Sequence, residues 1–151
     1  MYSKEKAIEI RKEFWTEFNN YCLKFYGKKH SWILYNTGIK DINLKFDCNR
    51  ENAKVIFAFE FSTEKAVEIF SYFKTLQESY AMYIDNNWIW KEKFILDSGK
   101  EICALYKQYD NVNIYNTDDW KKTFKFFAFE MKKLEKIFLA VKDNLKEYVK
   151  K

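Results

Sequence analysis

The chain has 151 residues, 48% of them hydrophobic, 32% charged and 21% aromatic, which fits one globular domain over 1–151 and excludes a disordered or low-complexity chain. No stretch approaches the roughly 20 uncharged apolar residues of a membrane span, and no apolar signal core follows Met1-Tyr2-Ser3-Lys4-Glu5-Lys6, so a cytoplasmic protein with no membrane partner is expected. The formal net charge of +5 invites a nucleic-acid partner, yet among 27 basic residues only Arg11 and Arg50 are arginine, the residue suited to bidentate phosphate and base contacts.

The lysine excess has a simpler explanation. With abundant Asn, Ile, Phe and Tyr and no proline, it is the bias an AT-rich genome produces, and a solvated surface accounts for it. Cys22, Cys48 and Cys103 are widely spaced and form no Cys-x-x-Cys pair. They read as small buried hydrophobes in a reducing compartment. With His30 the only histidine, a zinc site of the usual kind lacks clustered ligands.

From Ser3 to Tyr26 the spacing of Ile10, Phe14, Phe18, Tyr21 and Phe25 predicts an amphipathic helix, its stripe widened by Ile8, Trp15 and Cys22. Ser3 is placed to cap it and Gly27 to stop it. Trp32 to Tyr35 suits a short strand before the turn at Asn36-Thr37-Gly38. The run Ile42 to Cys48 alternates with period two, placing Ile42, Leu44, Phe46 and Cys48 on one face. After the turn Asn49-Arg50-Glu51-Asn52, Val55 to Phe61 is apolar on both faces except at Glu60, as in a central strand.

Ser62 and Thr63 precede a second helix expected from Thr63 to about Tyr83, with Val67, Phe70, Phe73, Leu76 and Tyr80 on its apolar side. Two strands, Trp88 to Leu96 and Glu101 to Tyr109, flank the turn Asp97-Ser98-Gly99-Lys100. Strict alternation puts Trp88, Trp90, Glu92, Phe94 and Leu96 on one side and Lys91 and Lys93 on the other, which favours a core role for the tryptophans over a base-stacking one. Asn116-Thr117-Asp118-Asp119 caps the last helix. The expected fold is α+β, order α-β-β-β-α-β-β-α, with about five strands in an antiparallel or mixed sheet, three helices and a long C-terminal helix.

That last helix carries a heptad seam of Trp120, Phe124, Phe127, Met131, Leu134, Phe138, Val141, Leu145 and Tyr148. Phe126, Phe129 and Ile137 broaden its first half, which is expected to pack on the sheet. The narrower second half is expected either to pack intramolecularly or to protrude. In the second case Val141, Leu145 and Tyr148 would meet a partner helix, including that of a second copy in a homodimer.

A hairpin turn centred between Arg50 and Glu51 pairs residues whose numbers sum to 101, so Asp47 faces Lys54 and Asp41 faces Glu60. Asp41 and Glu60 on one face are candidate ligands for a magnesium ion. The α-β-β-β-α-β order, with an acid opening the second strand and another ending the third, resembles the PD-(D/E)XK nuclease core. That superfamily has a lysine two residues after its second acid, where this chain has Ser62. Lys65 is the candidate substitute, and an ordinary salt-bridging pair or a helix-capping Glu60 is the competing reading. No glycine-rich phosphate loop, Ser/His/Asp set or Cys/His pair occurs.

The stretch Trp32-Ile33-Leu34-Tyr35-Asn36-Thr37-Gly38-Ile39-Lys40, with Phe46-Asp47, Phe59-Glu60, Trp88-x-Trp90 and Asp118-Asp119-Trp120, resembles a bacterial family known as domain of unknown function 4268. The resemblance runs from Trp32 to about Phe138. It implies a bacterial origin and a domain found alone or at the end of longer proteins, some with restriction-nuclease-like neighbours. It supplies no catalytic residues. The expected function is therefore a non-catalytic binding or accessory module, possible in a DNA-related or defence system, with a nucleic-acid or protein partner and no cofactor. The alternatives are a divergent magnesium-dependent nuclease using Asp41 and Glu60, and a homodimeric protein joined through the last helix.

Overall fold

A computed structural model describes residues 3–27 and 36–150. Helix α1 (Lys4–Tyr26) begins where the Ser3 hydroxyl accepts from the Lys6 N–H, and ends at Gly27, whose φ of 77° suits a residue without Cβ. It buries Ile10, Phe14, Phe18 and Cys22. Phe25, expected on the same stripe, is instead 60% exposed. Strands β1 (Ile42–Cys48) and β2 (Asn52–Phe59) form the predicted hairpin, with Ile42 opposite Phe59 and Asp47 opposite Lys54. The expected strand Trp32 to Tyr35 and His30 lie outside the described residues.

Helix α2 (Thr63–Thr75) is shorter than its apolar pattern suggested. The Thr75 hydroxyl donates to the Tyr72 carbonyl at 2.6 Å and the Leu76 N–H turns back to Phe73. The chain then tightens into two 3-10 turns, Gln77–Ser79 and Ala81–Tyr83. Tyr80, between them, is fully buried and donates its hydroxyl to the same Phe73 carbonyl at 2.8 Å.

Strands β3 (Trp88–Ile95) and β4 (Glu101–Asp110) complete a four-stranded, wholly antiparallel sheet in the order β1-β2-β4-β3. The expected count of about five strands is thus corrected to four among the described residues. A bulge interrupts β3: Lys91 pairs with Ala104, yet Phe94 pairs with Ile102, so Glu92 and Lys93 together oppose Cys103. Side-chain parity flips there. Trp88 and Trp90 pack on the helical side, whereas Phe94 belongs to the opposite face with Ile56, Ala58, Ile102, Ala104 and Tyr106. Strict alternation had kept Phe94 with the tryptophans.

The main core lies between one face of the sheet and the three helices. Helix α3 (Trp120–Lys150) is preceded by a 3-10 turn in which Asn116 accepts from the Asp118 N–H. Its Trp120, Phe124 and Phe127 meet Phe14 at ring-centre distances of 5.4, 5.1 and 6.2 Å, and Trp15 stacks on Phe127.

The second half of the seam does not protrude. Val141 and Leu145 are buried, and Tyr148 stacks on Tyr72 of α2 with ring centres 4.0 Å apart and planes 7° from parallel. Helix α2 shields the seam, so intramolecular packing is realised, and the surface assigned to a partner helix at Val141, Leu145 and Tyr148 is already occupied.

Candidate functional site

The carboxylates Asp41 and Glu60 are neighbours along the chain backbones, since the Glu60 N–H donates to the Asp41 carbonyl at 2.7 Å. Asp41 lies before β1 with φ of 68°, so strand alternation does not govern where its carboxylate points. Glu60 is committed to β1: Asn43 donates to one oxygen, and Lys45 pairs with the other at 2.9 Å. Its side chain is 11% exposed, and its carbonyl accepts from Lys100 at 2.6 Å. The Lys65 ammonium sits 5.3 Å from the Phe61 ring centre, over that ring and not on Glu60.

Asp47 pairs with Lys54 at 3.6 Å, as the register requires. Burial raises its pKa against the opposing pull of Lys54. Among the described residues no group of three or more His, Cys, Asp or Glu side chains is placed to hold a metal ion. Burial also raises the three thiols, Cys22 and Cys103 to about 11 and Cys48 to about 12, so they lack thiolate character near neutrality.

The family-like turn before β1 has a structural task. Asn36 accepts from the Gly38 N–H at 2.9 Å, and Gly38 takes φ of 80°. The buried Thr37 hydroxyl accepts from Ile39 N–H and lies 2.7 Å from the Ile42 carbonyl, to which it donates. This stretch sets the entry of the chain into the sheet.

The outward face of α3 is chemically distinct. The helix has nine lysines and four acids, an excess of five that equals the formal net charge of the whole chain. One of those acids, Glu130, is buried. Steps of four, three and four place Lys125, Phe129, Lys132 and Lys136 on a single stripe. Among the described residues no ion pair engages Lys121, Lys125, Lys132 or Lys136.

Two grooves flank this stripe. One, of about 550 Å³, runs against α1 and is lined by Tyr21, Lys24, Phe25, Lys121, Phe124 and Lys125. The other, of about 360 Å³, is lined by Met82, Tyr83, Phe129, Lys132, Lys133 and Lys136. Phe129 is 63% exposed, contrary to the expectation that it broadens the buried stripe. Phe127 is part of the core and Phe126 packs against it, whereas Phe129 does neither.

Beneath the second groove an ion network fixes α3 to the sheet. Glu130, with its side chain 4% exposed, stands 3.0 Å from Lys107 of β4 and 3.2 Å from Lys133. Lys107 also donates to Asp85 at 3.0 Å. Burial pulls the Lys107 pKa down, but its contacts with Asp85 and Glu130 more than offset this, so it lies above the ordinary lysine value. The hydrogen bond from Lys107 holds the Asp85 carboxyl below the usual carboxylate value.

Sequence reasoning treated the net charge as spread over the surface and missed this face. The signal was present as the charge count of one helix.

These features define a class: a helix-backed antiparallel sheet whose last helix carries a lysine-rich outer side. A family model described as Domain of unknown function (DUF4268) matches residues 10–142. The chain belongs to that family. No curated protein and no solved structure matches it, and no helix among the described residues is long and apolar enough to cross a membrane.

Proposed function

We propose that this domain is a non-catalytic binding module that engages nucleic acid through the outward face of α3, serving as an accessory domain in a DNA-related or defence system. The observation that carries this reading is the concentration of the chain's whole positive excess on one helix, with four lysines that no acid neutralises. Lysines held on one rigid face release counterions from a phosphate backbone without loop ordering. The carboxylate pair supports cleavage less well, because Glu60 is already satisfied by Lys45 and Asn43.

Fluorescence anisotropy with a labelled oligonucleotide tests this. Four phosphate contacts give a log–log salt slope of about −3.6 on duplex and about −2.8 on a single strand. Lys125→Ala with Lys136→Ala is expected to reduce that slope by about two. Absence of binding at low salt, or binding unchanged in the double variant, overturns the reading. Magnesium-dependent cleavage lost in Asp41→Ala or Glu60→Ala replaces it with the nuclease.

A further inference from the structure

Phosphate attraction accounts for the lysines of α3 but not for the aromatic rings among them. Phe129 is 63% exposed, Phe25 60% and Met82 79%, large apolar surfaces left in water on a chain that otherwise buries most of its phenylalanines. Each ring has an ammonium over one face: Lys133 is 4.6 Å from the Phe129 centre and Lys24 is 5.4 Å from that of Phe25. Lys132 lies 4.3 Å over Tyr26. One ring thus stands within the lysine stripe of α3, with Lys125 one turn before Phe129 and sharing a groove with Phe25 of α1.

A duplex cannot use such rings. Its bases are stacked inside, and an α3 docked on its phosphates would hold Phe129 and Phe25 against charged backbone. An unstacked strand offers flat faces that cover the rings while its phosphates reach the neighbouring ammonium groups. Arginine makes the commonest major-groove contact to guanine, and the two arginines of the chain, Arg11 and Arg50, also lie outside α3.

Resting on the nucleic-acid reading above, we infer that the ligand is single-stranded, held without strong sequence preference by base stacking on Phe129 and Phe25 and by phosphate contacts to the lysines of α3. The occupant is chosen by charge complementarity together with the flat exposed rings. An acidic polypeptide would satisfy the charge but supply no ring faces.

Anisotropy titrations with a short labelled oligothymidylate, the corresponding duplex and polyglutamate separate these cases. The single strand is expected to bind more tightly than the duplex. Phe129→Ala is expected to weaken single-strand binding about tenfold while leaving duplex binding nearly unchanged, and Phe129→Tyr is expected to restore it. Phe129 is exposed, so circular dichroism of both variants should match that of the parent. Equal affinity for strand and duplex, or indifference of both to Phe129→Ala, overturns the single-strand inference and leaves nucleic-acid binding standing. Failure of both nucleic acids to bind at low salt, or polyglutamate binding as tightly as they do, overturns both.

Discussion

Replacing Lys107 by methionine tests how α3 is held on the sheet. The substitution removes the nearer cation from Glu130, whose side chain is 4% exposed, and leaves it only Lys133, itself 28% exposed and 3.2 Å away. Removing one partner of a buried ion pair costs about 3–5 kcal/mol. The remaining Lys133 lowers this to about 2–3 kcal/mol, while Asp85, 45% exposed, rehydrates at little cost. Urea denaturation followed by tryptophan fluorescence measures the loss, and a thermal melt should fall by about 4–10 °C. The double variant Lys107→Met/Glu130→Met buries no charge there and is expected within about 1 kcal/mol of the parent. The coupling between the two sites should therefore be about 1.5 kcal/mol or more.

The pH profile carries signs of its own. The Asp85 pKa is depressed when folded, so its contribution is present above the ordinary carboxylate value near about 4 and is lost as pH falls through the lower folded value. The Lys107 pKa is raised, so its contribution is present below about 10.4 and is lost as pH rises through the folded value. Stability changes within about 0.5 kcal/mol for Lys107→Met, with no coupling in the cycle, would show that Glu130 is solvated and refute the network.

Three further substitutions or reagents probe other elements. Leu145→Ala is expected to cost about 3 kcal/mol because Leu145 is fully buried in the core, and the loss should not depend on protein concentration; a negligible or concentration-dependent loss in urea melts would point back to a partner helix. At Asp41, with φ of 68°, glycine should be tolerated and valine should cost about 1–2 kcal/mol in thermal melts. Ellman's reagent at pH 8 should find no fast thiol in the folded protein and three after denaturation, since all three cysteines are buried with raised pKa values.

Local chemistry makes several elements legible in the sequence. The β1–β2 register followed from the turn at Arg50 and Glu51 together with period-two patterning, because a one-residue slip would expose Ile42 and Leu44. The caps at Ser3 and Asn116 followed from side-chain acceptors acting over three and two residues. What failed depended on tertiary context. The end of α2 is set by Tyr80 folding back to Phe73, and nothing in an apolar stripe distinguishes that from a continuing helix. The β3 bulge carries no glycine to mark it. Phe25 and Phe129 sit at helical spacing, but which arc of a helix is covered depends on where its neighbours end. The Asp41 and Glu60 pairing was right in register and incomplete in chemistry, since the Asn43 and Lys45 side chains that satisfy Glu60 follow from the same register.

The bulge in β3 also bears on how this chain behaves in company. Among the described residues β3 is a terminal strand of the sheet, and its middle presents Lys91, Glu92 and Lys93 exposed to water. An incoming strand from another molecule would find the hydrogen-bonding ladder broken within a few residues and would have to bury three charges to continue past it. In a chain so rich in aromatic and β-forming residues, one extra residue in a border strand is a barrier to growth of the sheet beyond the single molecule.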